Sequence, residues 1–202
     1  ENGVMFGEEY TLVACADHIL SHRPGNTVSN LSSTRALRDV TEKYGGIYTA
    51  SAVGEVNVVN AMKSSNAIIG GEGNGGIIYP ESHYGRDALV GVALFLSLLA
   101  ERKTAVSTLR ASYPSYFMSK NKIDLNPSID VDAILAAIEA RYSEEQISTI
   151  DGVKIDFLTE WVHLRKSNTE PIIRIYTEAP TQKAADNLGN KIINEIKEVA
   201  GI

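Results

Sequence analysis

The chain has 202 residues, 44% of them hydrophobic, with a formal net charge of -6 and a pI near 5.3. That much apolar material supports one large domain or two small ones, while the acidic balance argues against a surface built to track nucleic acid, so a small anion would need a local cationic pocket. A single cysteine, Cys15, set among Leu12, Val13, Ala14 and Ala16, excludes an intrachain disulfide framework and reads as a buried thiol of a reducing, cytoplasmic compartment.

Asn2-Gly3 ahead of Val4, Met5 and Phe6 is a two-residue hairpin signal, because both turn residues tolerate positive φ. One residue stands before it, so the partner strand is expected to be missing and residues 1–9 to be the tail of a preceding domain. Tyr10 to Ser21 is a helical stretch closed by His22-Arg23-Pro24-Gly25. A short strand at Thr27 to Ser29 follows. Ser32 or Ser33 is positioned to cap a helix through Tyr44, stopped by Gly45-Gly46. A strand at Ile47 to Ser51, a helix from Gly54-Glu55 to about Lys63, and a buried strand at Asn66 to Gly70 come next.

That strand runs into the cluster Gly70-Gly71-Glu72-Gly73-Asn74-Gly75-Gly76, and Ile77 to Tyr79 returns from it. Asp87 to Lys103 is a long apolar helix whose core, Ala88 to Ala100, falls short of the roughly 20 residues of a bilayer span and is expected to be buried. No basic segment followed by an apolar core opens the chain, so neither a secretory leader nor a membrane partner is expected. A shorter helix at Thr104 to Ser112 ends at Tyr113-Pro114-Ser115. Residues 10–112 therefore read as an α/β layered domain, a mixed sheet flanked by helices.

Residues 113–202 change style and read as a small α+β domain with an antiparallel sheet. Asp130 can cap a helix carrying Val131, Ile134, Leu135 and Ile138. Asp151-Gly152 joins strands at Gln146 to Ile150 and Val153 to Phe157. Trp161 to Lys166 and Pro171 to Glu178 bracket a polar loop, and a final helix starts at Pro180 with Leu188, Ile192, Ile196 and Val199 on its buried stripe.

Two loops carry chemistry. Arg165-Lys166-Ser167-Asn168-Thr169-Glu170-Pro171, with Arg174 shortly after, offers the planar cationic fork, hydroxyl donors and backbone N–H groups that a phosphate dianion takes. The same composition suits a polar hairpin that satisfies its own backbone. In the glycine cluster, Glu72 can accept from sugar hydroxyls and Asn74 can donate or accept, although a flexible turn has the same composition. The cluster is a poor match to a nucleotide P-loop, since it lacks the lysine and carries a carboxylate where phosphate would sit. The histidines His18, His22, His83 and His163 show no paired metal spacing, since the helix is expected to end near His22, and no metal ligands are expected. Glu8-Glu9 reads as solvated charge.

In combination these segments are more specific. Val53-Gly54-Glu55 at a helix start, Gly71-Glu72-Gly73-Asn74-Gly75 at a strand end, Asp151-Gly152-Val153, and Arg165-x-Ser167-Asn168-Thr169-Glu170-Pro171 stand in the order and approximate spacing of the α-D-phosphohexomutase family, which the chain resembles over nearly its whole length. The family includes phosphoglucomutase, phosphomannomutase and phosphoglucosamine mutase. The resemblance implies the third and fourth of four domains. It assigns Glu72 and Asn74 to sugar hydroxyls, and Arg165, Ser167, Asn168 and Thr169 to the phosphate that is not transferred. It implies an isomerase that moves phosphate between the 1 and 6 positions of a hexose through a bisphosphorylated intermediate. The catalytic serine and the Mg-binding aspartate loop belong to the first and second domains, so no catalytic residue is expected in this chain. The expected partners are a hexose phosphate and the missing amino-terminal domains. The alternative is a non-catalytic phosphosugar-binding or regulatory module. Glu55 and Ala52 depart from the His or Lys that many members carry near the Val-Gly helix, and Asn74 with Gly75-Gly76 leans toward a phosphoglucosamine or broad-specificity branch.

Overall fold

The computed structural model describes residues 1–126, 129–167 and 172–201. The chain divides into two compact units, Glu1–Ser115 and Tyr116–Ile202, and no described helix is long and apolar enough to cross a membrane.

The first unit contains α1 (Glu8–His22), β1 (Asn26–Asn30), α2 (Ala36–Lys43), β2 (Tyr48–Ser51), α3 (Glu55–Ser65), β3 (Ala67–Glu72), β4 (Gly76–Ile78), α4 (Ala88–Arg102) and α5 (Val106–Ala111). Its sheet has the order β2-β1-β3-β4, with β2 and β3 parallel to β1 and β4 antiparallel to β3. The chain moves from β1 outward to β2 and then back across β1 to β3. Right-handed crossovers in opposite directions must put their helices on opposite faces. Accordingly α3 packs one face with Val28, Val58, Met62 and Ile78, while α2 meets the other, where Thr27 Oγ1 lies 2.6 Å from Thr41 Oγ1. Helix α1 packs against α2, α4 and β3 and is buried nearly all round, Leu12 to Ala16 included. Burial pushes the Cys15 thiol up to about 12, which leaves it unreactive at neutral pH.

Several expectations are corrected here. Val4 to Phe6 form no strand, although Gly3 has the positive φ of a turn. The hydroxyl of Ser33 does not cap α2, which starts at Ala36, because it is engaged by Asn30 and Gly73. The strand before the glycine cluster continues to Glu72, and α1 continues through His22. Helix α4 is not buried: Leu89, Val92 and Leu96 are 81, 55 and 57% exposed, with Gly91 and Leu98 the residues that seat it. An all-round apolar helix at a unit's edge meets neighbours on one side, here α1 and β4.

The second unit contains β5 (Phe117–Asp124), α6 (Val131–Arg141), β6 (Gln146–Ser148), β7 (Val153–Asp156), β8 (Trp161–Lys166), β9 (Ile172–Ala179) and α7 (Gln182–Ala200). Its sheet is antiparallel throughout, in the order β5-β9-β8-β7-β6. Asp130 caps α6, its Oδ1 accepting from the Asp132 and Ala133 N–H groups. Ile134, Leu135 and Ile138 of α6 and Leu188, Ile192 and Ile196 of α7 pack on the face that carries Ile155, Val162, Leu164, Ile173 and Ile175. With a side-chain period of 2, Trp161, His163 and Arg165 therefore stand on the face away from the two helices.

Candidate functional site

In a sheet whose connections leave neighbouring strands in opposite directions, a crevice opens at the strands' carboxyl ends. In the first unit those ends are Asn30 of β1 and Glu72 of β3. Glu72 is 6% exposed, and both of its oxygens are engaged: Oε1 accepts from Asn30 Nδ2 at 3.0 Å and Oε2 from an Arg86 terminal nitrogen at 3.1 Å. Each carboxylate oxygen accepts two hydrogen bonds, so capacity for a hydroxyl donor remains on both. Arg86 reaches onward to Glu55, with Nε 2.9 Å from Oε2 and its backbone N–H 3.2 Å from Oε1. Those bonds, the backbone one first, hold the Glu55 carboxyl below its usual range. Glu55 is thus the acid that orients Arg86.

The hairpin turn beyond Glu72 is held from below. The Gly73 N–H donates to Ser33 Oγ at 3.0 Å, and Ser33 donates to Asn30 Oδ1. A Cβ at Gly73 would collide with the Glu9 carboxylate, whose Oε2 accepts from the Thr34 N–H at 2.9 Å. Glu9 is therefore a structural acceptor under the loop and not the solvated charge expected. Asn74 is exposed and its Oδ1 accepts from the Gly76 N–H at 3.1 Å, which directs the amide donors of the side chain away from the turn. The sequence reading did not connect Asn30, Ser33, Arg86 or Glu9 to the glycine cluster, since no local spacing links them to it.

In the second unit Arg165 sits at the end of β8, with Nε 2.9 Å from Asp151 Oδ2 in an ion pair whose N–H is not aligned for a hydrogen bond. Its terminal amino groups are not committed by that pair. Asp151 belongs to the turn before β7, where Gly152 has φ +71 and no room for a Cβ against the Leu164 carbonyl. The Asp151 carbonyl accepts from His163 Nε2 at 2.7 Å. Burial drives the His163 ring down to about 4, so it is neutral and serves to pin the turn. Strand register sets Arg174 directly opposite both Arg165 and Lys122, which makes a row of three cations across β8, β9 and β5. Arg174 and Lys122 line a hollow of about 260 Å³ with Lys120 and Tyr176. Ser167 closes the hairpin, its N–H donating to the Ile172 carbonyl at 3.0 Å. Asn168 and Thr169, the other two residues expected to hold phosphate, lie outside the described residues. Lys166 turns to the opposite face and pairs with Asp132 at 2.7 Å.

These two loops stand on a chain with clear relatives. Residues 7–116 match the phosphoglucomutase/phosphomannomutase α/β/α domain III, and residues 122–195 the C-terminal domain of the same family. A phosphoglucosamine/phosphogalactosamine mutase of Sulfurisphaera tokodaii is 37% identical over 174 residues, which are 85% of this chain and 37% of that protein. A phosphoglucomutase/phosphomannomutase of Thermococcus kodakarensis is 34% identical over 202 residues, covering 96% of this chain and 44% of that protein. The chain thus spans less than half the length of these relatives. A crystal structure of a phosphoglucomutase/phosphomannomutase family protein from Burkholderia thailandensis superposes with a TM-score of 0.81 at 23% identity, over 98% of this chain and 43% of that one. The layered α/β unit followed by an antiparallel α+β unit is the fold expected from the residues. The chain belongs to the phosphoglucomutase/phosphomannomutase family, of which it carries the third, α/β/α domain and the C-terminal domain.

Proposed function

We propose that this chain is the substrate-holding part of a phosphohexomutase, an intramolecular phosphotransferase that interconverts hexose 1-phosphate and hexose 6-phosphate through a bisphosphorylated intermediate. The observation that carries the reading is the row Lys122, Arg174 and Arg165 on three neighbouring strands, beside Ser167. Like charges directly opposed across strands cost stability, and a phosphate dianion turns that cost into charge-assisted hydrogen bonds. Asn168 and Thr169 complete the clamp in this reading, while Glu72 and Asn74 read sugar hydroxyls. A mutase must hold its sugar in two opposite orientations so that one reaction centre serves both ends. A clamp that reads phosphate alone, together with a carboxylate that accepts from any suitably placed hydroxyl, meets that requirement and supplies positioning rather than chemistry.

We place the phosphoryl-carrying serine and the Mg²⁺ on segments outside this chain, in a cytoplasmic enzyme. The chain by itself then binds hexose phosphates without turning them over. Calorimetric titration with glucose 6-phosphate and with inorganic phosphate tests the division of labour. Arg165→Ala is expected to weaken both by about 2 kcal/mol, roughly 30-fold, whereas Glu72→Gln weakens the sugar phosphate and spares inorganic phosphate. Unchanged affinity in Arg165→Ala, or interconversion of the two glucose phosphates by this chain alone, would overturn the reading.

A further inference from the structure

The last turns of α1 and α4 carry three potential metal ligands that the sugar and phosphate loops do not use. Because α1 stays helical through His22, His18 and His22 project from one face a turn apart, their ring centroids 4.9 Å apart and their planes at 71°. Glu101 of α4 comes up beside them: its Oε2 is 3.6 Å from His18 Nδ1 and 3.4 Å from His22 Nε2. One ligand atom from each of the three residues lies within 4.8 Å of the other two.

The hydrogen bonds around the trio fix one tautomer. His22 Nδ1 lies 2.8 Å from the His18 carbonyl oxygen and 3.2 Å from Ser21 Oγ, whose own hydrogen goes to the same carbonyl at 2.7 Å. A carbonyl only accepts, so Nδ1 carries the proton and the Nε2 lone pair of the neutral ring faces Glu101. This is the outer-shell arrangement that orients a metal-ligating imidazole. His18 is 8% exposed, and its Nδ1 is shut off from water with no hydrogen-bond partner among the described residues. An unpartnered buried nitrogen, a second nitrogen lone pair and a carboxylate oxygen converge here, a donor set that a cation between them would hold together. Ligands at 2.0–2.1 Å from a tetrahedral zinc are separated by edges of about 3.3 Å, close to the spacings to Glu101 Oε2.

We propose that His18, His22 and Glu101 form a binding site for a first-row transition-metal ion, with Zn²⁺ the best fit to a two-imidazole, one-carboxylate set. The side chains of His22 and Glu101 are 57 and 52% exposed, which leaves the fourth position open to water. Both helices end here, and their terminal carbonyls favour a cation. The neighbouring arginines are drawn elsewhere, Arg102 to Asp17 at 3.2 Å and Arg23 to Glu81. His18 lies nine positions along α1 from Glu9 under the glycine hairpin, about 14 Å along the helix axis. The ion would therefore act as a clip between α1 and α4, apart from the candidate sugar loop.

Titration of the metal-free chain with Zn²⁺ at about pH 7.5, where imidazoles are mostly neutral, provides the test, with Co²⁺ as a spectroscopic substitute. The expected result is one-to-one binding, the visible absorption of low-coordinate Co²⁺, and a melting temperature that rises with zinc concentration. His22→Gln and Glu101→Gln, both at exposed positions, should each weaken binding by at least the roughly tenfold that loss of an outer-shell partner costs, and should leave the melting temperature of the metal-free chain unchanged. His83→Gln, which alters the separate His83–Asp87 pair, should bind as the parent does. Absence of saturable binding, or binding undiminished in both ligand variants, would reduce the trio to an ion pair that shares a proton.

Discussion

Glu72 keeps its place in a nearly dry crevice because Asn30 and Arg86 engage its two oxygens. A buried acceptor that loses a partner bears its own desolvation cost, so Asn30→Ala is expected to destabilise the first unit by about 1–3 kcal/mol in urea denaturation. The same variant also frees the Ser33 hydroxyl from its acceptor beneath the glycine hairpin, and both losses act at the sugar-reading loop. His163 makes a prediction of opposite character, in pH. Its folded value lies near 4, against 6.5 for the free group, so between those two values the unfolded chain binds a proton that the folded chain does not. Stability then rises with pH through that window and is lost as pH falls from 6.5 toward 4, by an amount on the order of 3 kcal/mol. His163→Gln should flatten this part of the stability curve, as measured by denaturation at a series of pH values.

At the level of elements, local chemistry located most of the helices and strands. Trp161 to Lys166 was legible with its observed bounds, since a short segment opened by Trp161 and Val162 between polar turns reads as a strand. Asp130 was readable as a cap for a simple reason: it accepts from N–H groups two and three residues on, a wholly local interaction. Ser33 misled because its partner, Gly73, is forty positions away. Helix α4 misled differently. Hydropathy records how apolar a segment is, not how much of it neighbours cover, and α4 is seated through Gly91 and Leu98 while Leu89 stands in solvent. Leu98→Ala should therefore cost about 2–5 kcal/mol, and Leu89→Ala should stay within about 0.5 kcal/mol of the parent. Thermal denaturation of the two variants side by side checks the contrast.

Across the whole molecule, two units with separate hydrophobic cores make two-state unfolding of the entire chain the less natural outcome. Calorimetry is expected to resolve two transitions, one lowered by Leu98→Ala and the other by Ile155→Ala. A single transition with equal calorimetric and van't Hoff enthalpies would instead mean that the units unfold together. The sequence by itself determined the class of each unit, the order of elements, and the two loops in which glycine, carboxylate, guanidinium and hydroxyl chemistry is concentrated, because turn residues, caps and hydrophobic period act over a few positions. Tertiary structure alone decided what surrounds those loops. Strand register brought Lys122, Arg174 and Arg165 into one row, crossover topology brought Asn30 to Glu72, and helix packing brought Glu101 to His18 and His22. Such partners are chosen by the closing of long loops around a core, and no spacing along the chain encodes that closure.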